Sequence, residues 1–453
     1  MLDQGSLESW LQSSYLHRIV GLLKSWRQSS LLLRWADVIG MVAVLLIFVA
    51  APFVSTTLIG LLLLLCAAFW MLLTVADDSA ASVTWIHVFV GLYWCIATIA
   101  TVFSPVRGEA FQGWIKLTLY LLLFVMLARS LRSPLWRSVL IALYLHVATF
   151  VSIFGLRQWF FGADALATWV DADSSLAGTT RVYSYLGNPN LLGAYLIPAA
   201  IFSAAAFLTW KSIPAKGLAV LMGIVNSACL VLTFSRGAWI GFVVAGFVFL
   251  LLLVSWVSPL LPSVWKVWAL PTVVGGTAAV LSLAVLAVAP LRARVSSIFA
   301  GREDSSNNFR INVWGAVMDM IRDRPVLGIG PGNDAFNKIY PFYQEPGYTA
   351  LSAYSVYLEI AVETGFIGLT CFAVLMIVTF WQAWKALNKL RQKRDPEALW
   401  LMGAIAIMVG MLAHGMVDTV WYRPQISTLW WLMVGLVASY AATTRNQRYR
   451  VES

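Results

Sequence analysis

The chain has 453 residues, of which 60% are hydrophobic and only 11% charged, and it carries a formal net charge of +10. A chain this apolar cannot hide its hydrophobic residues in a water-soluble core without leaving large apolar faces, so a bilayer is its natural solvent. The positive charge does not mark a nucleic-acid partner, because the basic residues stand in short clusters beside apolar runs and form no single stripe.

Residues 1–37 read as a cytoplasmic N-terminal segment. Within it Ile19, Leu22, Leu23 and Trp26 share one helical face opposite Lys24, Arg27 and Gln28, the pattern of an interfacial helix on anionic lipid. This charged stretch precedes the first apolar run and no small-residue cleavage site follows it promptly, which predicts a retained anchor instead of a signal peptide. Residues 38–290 predict nine transmembrane helices, near 38–54, 57–76, 83–103, 114–128, 138–156, 190–210, 217–234, 238–257 and 267–289. Val38 to Ala76 contains no charged residue or histidine and is too long for one span, so it suits a helical hairpin turning near Pro52 and Ser55.

Residues 291–354 form the long polar stretch and predict a partly helical loop. In it Asn308 is placed to cap a helix whose Ile311, Trp314, Met318 and Ile321 recur at helical spacing, with Pro325 stopping it and Arg310 in its first turn. Residues 355–443 predict three more spans, near 355–381, 398–417 and 427–443, and residues 444–453 a tail. The fold class is therefore all-α, a polytopic membrane protein of about twelve transmembrane helices. Arg129, Arg132 and Arg137, Lys211 and Lys216, and the run from Lys385 to Arg394 fall on the side of both termini. The positive-inside bias makes that side cytoplasmic, makes the 291–354 loop extracytoplasmic and predicts the plasma (inner) membrane.

Several residues carry chemistry. Arg236 lies in a very short connection between apolar runs, where a planar fork of donors either binds an oxyanion or forms a structural ion pair. Gly328-Ile329-Gly330-Pro331-Gly332 lacks the following Lys and Ser or Thr of a phosphate loop and reads as a turn after the preceding helix. Glu359 and Glu363, and likewise His414 and Asp418, stand one helical turn apart within or beside spans, where ionisable pairs are functional candidates that compete with plain helix-helix hydrogen bonding. His87 and His146 read as structural histidines. Cys66, Cys95, Cys229 and Cys371 fall in apolar runs without metal-ligand spacing and read as buried thiols, so no metal and no cofactor is expected.

Four stretches together resemble the O-antigen ligase and Wzy polymerase superfamily: Gly187-Asn188-Pro189-Asn190, Ser235-Arg236-Gly237, Arg310 to Trp314 continuing to Pro325 through Gly332, and Tyr357-Leu358-Glu359 leading to Glu363-Thr364-Gly365. Within that superfamily the chain most resembles the cyanobacterial IctB-type branch, described as inorganic carbon (bicarbonate) transporters. The ligase resemblance implies that Arg236 and Arg310 engage the pyrophosphate of a polyprenyl-linked glycan. The superfamily's His-Asn pair falls here on Tyr354-Ser355, and the loop holds no histidine. A phenol is almost fully protonated at neutral pH and serves poorly as a general base.

Three readings follow. The IctB resemblance implies a transport-related protein of inorganic carbon (bicarbonate) accumulation that is not an enzyme. The alternative is a glycosyl ligase or polymerase that transfers a glycan from a polyprenyl pyrophosphate carrier, with Glu359, His414 or Tyr354 as candidate catalytic groups. A scaffold or regulator that keeps the fold without the chemistry is the third. Membrane lipid is an expected partner in all three, and nucleic acid in none.

Overall fold

The structure is a computed structural model that describes residues 22–76, 83–163, 180–287 and 289–452. It is all-helical among these residues, with eleven helices long and apolar enough to cross a membrane. In chain order the helices are α1 (Lys24–Ser29), α2 (Leu31–Ala50), α3 (Thr56–Ala76), α4 (Trp85–Val102), α5 (Arg107–Ser130), α6 (Pro134–Phe161), α7 (Pro189–Thr209) and α8 (Ile213–Leu232). There follow α9 (Arg236–Val257), α10 (Ser263–Ala287), α11 (Ala289–Ser296), α12 (Ser305–Asp323), α13 (Asn333–Ile339), α14 (Val356–Lys393), α15 (Ala398–His414) and α16 (Pro424–Glu452). Helix α15, with 17 residues, is the shorter apolar helix that completes the set of twelve.

Two features at the N-terminal end depart from the sequence reading. Helix α2 starts at Leu31 instead of Val38, because the Ser30 side chain accepts from the Leu33 backbone N–H and Asp37, inside the helix, is paired with Arg129 at 3.3 Å. The expected interfacial helix is described only from Leu22 onward, where Leu22 and Trp26 are exposed; Ile19 lies outside the described residues. Of the cysteines, Cys95 is exposed on α4, since apolar surface there needs no protein cover, while Cys66, Cys229 and Cys371 are buried. His87 accepts from the Thr84 N–H in the N-terminal cap of α4, and His146 bonds the Ala142 carbonyl; both serve their own helices.

The tightest helix crossing sets up the site. On α9, Gly237 and Gly241 stand four residues apart, and α15 packs across them. A Cβ at Gly241 would lie 2.8 Å from the Gly410 carbonyl oxygen, and one at Gly410 would lie 2.5 Å from that of Gly241. Only glycine lets two backbones approach so closely, the usual device where lipid supplies no hydrophobic drive between helices. One turn along the same crossing, the His414 ring lies against Gly237. At the other end of α15, Arg137 pairs with Glu397 at 2.8 Å and sits over the Tyr440 ring, so the bundle's two membrane faces each hold a buried charged group.

Helix α14 has 38 residues, about 57 Å at 1.5 Å per residue, against a hydrocarbon core of about 30 Å. It therefore projects beyond the membrane at its basic end, and it is broken at Gly365, where φ is +67°. The break frees carbonyl groups that the bilayer cannot satisfy. The glycine-rich loop satisfies them: Ile329 N donates to Val362 O at 2.8 Å, Gly330 N to Glu363 O at 2.9 Å and Gly332 N to the Glu363 carboxylate at 2.7 Å. A Cβ at Gly365 would lie 2.1 Å from the Val326 oxygen. The loop is thus more than the turn after α12: it splints a broken transmembrane helix.

The N-cap of α12 lies four residues before the expected Asn308. Asp304 is the N-cap and accepts from Asn307 N at 2.9 Å, while Asn308 binds Arg302 and Tyr348. The reason is tertiary, because the same Asp304 oxygen also receives Arg236. The shift moves Arg310 from the first helical turn to the second, away from the free backbone N–H groups.

Candidate functional site

The site is built on the connection between α8 and α9. Its turn holds Phe234 at φ +50°, a left-handed conformation that a bulky residue adopts only under tertiary constraint. Ser235 caps α9, and Arg236 is the first helical residue. Arg236 is 7% exposed; its guanidinium donates to Asp304 at 2.9 Å and to the Ser297 carbonyl and hydroxyl, each at 3.1 Å. It makes the structural ion pair that the sequence allows.

Two further arginines converge on the same turn. Arg181 donates to the Thr233 carbonyl at 3.0 Å and to Asn190 Oδ1 at 3.1 Å. Asn190 is held in place by the Gly187-Asn188-Pro189-Asn190 motif, in which Gly187 is left-handed, Asn188 caps α7 and Pro189 opens it. Buried Arg294, from α11, donates to the Phe234 carbonyl at 3.2 Å. Arg310 adds a fourth guanidinium from α12, 4.0 Å from Asp418, with its Nε buried and without a protein partner.

The electrostatics show that these groups feel one another. Burial lowers Arg294 to about 9, helped by Arg236 and Arg181. Burial likewise lowers Arg181 to about 10; Asp418 opposes the shift, and Arg310 and Arg236 add to it. Four guanidinium groups face two carboxylates, Asp304 and Asp418, so the cluster has an excess of cationic donors that favours an oxyanion bearing more than one charge.

Of the candidate catalytic groups, two adjoin this cluster. His414 ends α15 against Gly237, senses Asp418 and Arg310, and has a buried Nε2 with no protein partner. Tyr354 sits at φ +51° with its ring edge-on to Phe309, 5.4 Å between centroids. Burial pushes its phenol up to about 12, assisted by Asp418 and Tyr422. Glu359 points elsewhere: with Glu363 it lines a neighbouring cavity and accepts from Ala353 N at 2.6 Å. Among the described residues no group of three or more acidic, histidine or cysteine side chains is arranged to hold a metal ion.

Arg181 and Arg294 are the members that sequence reasoning does not select. The signal for Arg181 is its place nine residues before Asn190; Arg294 carries none beyond its position after α10.

Residues 217–373, roughly a third of the chain, match the O-antigen ligase family model, and the match takes in Arg236, Arg294, Arg310, Tyr354 and Glu359 but not Arg181 or His414. The chain is also similar to the exopolysaccharide production protein ExoQ of Rhizobium meliloti (strain 1021), 24% identical over 246 residues. That alignment covers 53% of each protein, so the chain spans about half the length of the curated relative it matches. The helices and these similarities together describe an O-antigen ligase-like multi-pass membrane protein.

Proposed function

We propose that the protein binds the diphosphate of a polyprenyl-linked glycan at Arg181, Arg236, Arg294 and Arg310 and transfers the glycan to a hydroxyl-bearing acceptor. The observation that carries this reading is the convergence of three guanidinium groups on one turn, with Arg310 on Asp418 and a histidine beside them and only two carboxylates to offset the four charges. In the transfer, the acceptor oxygen bonds to the anomeric carbon as the bond from that carbon to the diphosphate oxygen breaks. The electron pair leaves with the diphosphate, where the arginines meet the added negative charge. The acceptor proton passes to the His414 imidazole, with Asp418, in the segment that follows α15, close enough to stabilise the imidazolium.

Purified full-length protein given a polyprenyl diphosphate glycan and a sugar acceptor is expected to release free polyprenyl diphosphate in step with acceptor consumption. Binding of the lipid without release would leave a scaffold, and neither binding nor release would remove the reading altogether. Bicarbonate accumulation, which the IctB resemblance implies, fits the same cluster less well, because one bicarbonate offers a single charge to two surplus cations. The relative's role in exopolysaccharide production favours the glycan too.

The reading needs the arginine cluster on the extracytoplasmic side of the plasma membrane and the basic end of α14 in the cytoplasm, as the cationic loops predict. A reporter active only in the cytoplasm should therefore give signal when fused near Gln392 and none near Asn307. The reverse pattern would overturn the orientation.

A further inference from the structure

In the free protein the fork of Arg236 is already occupied. Its Nη2 donates to Asp304 Oδ1 at 2.9 Å, and its Nη1 donates to the Ser297 carbonyl and hydroxyl, each at 3.1 Å. Both members of the ion pair are nearly closed to water, with side chains 7% and 9% exposed. Nη2 belongs to both of the two-donor edges with which a guanidinium grips an oxyanion. An incoming anion therefore meets an arginine whose charge is balanced and whose pivotal nitrogen is held by a carboxylate.

Asp304 stands in a closed ring of contacts. The oxygen that receives Arg236 also accepts from Asn307 N at 2.9 Å and so caps α12. Asn307 Nδ2 in turn donates at 2.9 Å to the Ser297 carbonyl, which receives Arg236 as well. Ser297 and Asp304 are the two ends of the segment between α11 and α12, so a single arginine of α9 gathers both. The cap itself does not need a charge. Asn and Ser cap helices about as well as Asp does, and both follow at once in Asp304-Ser305-Ser306-Asn307-Asn308. What the carboxylate adds is a countercharge for Arg236, attached to the same chain and so present at a high effective concentration.

We infer that Asp304 is a resident counter-anion, an autoinhibitory clasp that an incoming diphosphate displaces from Arg236. The inference rests on the reading of the arginine cluster as a diphosphate site. Exchange for a singly charged anion gains nothing, because one carboxylate-like contact replaces another and the intramolecular one needs no loss of translational freedom. A diphosphate does gain, because it also meets Arg310, which lies close enough to Arg236 for their charges to repel. After the exchange Asp304 keeps its bond to Asn307, so α12 stays capped. Ser297 still holds Nη1, so Arg236 changes one partner without losing its orientation.

The test is calorimetric titration of inorganic pyrophosphate into the full-length protein in nanodiscs of zwitterionic lipid, at pH 7 and one low ionic strength. Asp304→Asn keeps the cap and a neutral acceptor for Arg236 while removing the charge. Pyrophosphate affinity is expected to rise about tenfold or more, the worth of a hydrogen bond to a charged group. Glu303→Gln removes the same charge at the neighbouring, exposed position and should change affinity by less than about threefold, as a screened surface charge does. In an Arg236→Ala background, Asp304→Asn should bring no further gain, since the clasp acts only through that arginine. A lower affinity in Asp304→Asn would overturn the clasp and make Asp304 a support that holds Arg236 in place. An equal rise with Glu303→Gln, or an undiminished rise in the Arg236→Ala background, would reduce it to a general field effect and sink it too. Should Asp304→Asn fail to fold, Asp304→Ser, which also caps, is judged by the same outcomes. Pyrophosphate binding by the wild type with no gain in the variant removes the clasp and leaves the anion site; no binding by either removes both.

Discussion

Arg310→Ala is expected to weaken binding of polyprenyl diphosphate by roughly 30-fold or more, with the protein still present in the membrane in normal amount. Truncating a buried charged contact generally costs about 2–5 kcal/mol, which is that range of affinity. Arg236→Ala should lose as much binding, with some loss of stability as well, because Asp304 would keep only its capping bond to Asn307. Arg236→Lys should recover a minor part, since it keeps the charge and loses the fork that reaches Asp304 and Ser297 together. The pH dependence gives an independent check. Arg294 and Arg181 are held below their ordinary values in the free protein, to about 9 and about 10, so a bound diphosphate raises them again. The charged forms are fully present only well below these values, so affinity should be full near pH 7 and fall as the pH rises through about 9 to 10. Radiolabelled lipid binding measured from pH 7 to pH 10 would show this, and a flat profile together with unaffected alanine variants would sink the anion site.

The bundle was largely legible because an apolar run of about twenty residues has one comfortable fate in a bilayer. What escaped reading has tertiary causes. Asp304 to Asn308 is an unbroken run of cap-forming residues, Asp-Ser-Ser-Asn-Asn, and local chemistry does not choose among them; Arg236, 68 positions away, does. Arg181 and Arg294 are recruited by the carbonyl groups of Thr233 and Phe234, at the turn where Phe234 is left-handed. Nothing in a Thr-Phe-Ser sequence announces that turn. The glycine-rich loop has the composition of a phosphate cradle, yet the N–H groups of Ile329, Gly330 and Gly332 are spent on the broken helix α14. Its partner, Gly365, shows in the sequence as the end of the Glu363-Thr364-Gly365 stretch, with nothing to mark a helix break there.

The identity of the base gives the second large effect. The superfamily resemblance puts a histidine where this chain has Tyr354, and burial raises that phenol to about 12, so at pH 7 it offers no useful proton acceptor. His414 reaches the same cluster from another direction, along α15, because Gly237 and Gly241 allow that helix to press against α9. General-base assistance is typically worth about 10²- to 10⁴-fold, so His414→Ala should lower glycan transfer by that factor while lipid binding changes little. Tyr354→Phe should lower transfer by less than about threefold, since it removes only a hydroxyl that can orient an acceptor. Tyr354→His with Ser355→Asn restores the superfamily pair at a backbone position whose φ of +51° histidine tolerates better than most residues. In the His414→Ala background that double change should regain part of the lost rate if both positions face the same acceptor hydroxyl. The outcome that would reverse the assignment is a large loss from Tyr354→Phe with transfer intact in His414→Ala, which would place the reacting hydroxyl at the loop and leave His414 as packing for the glycine crossing.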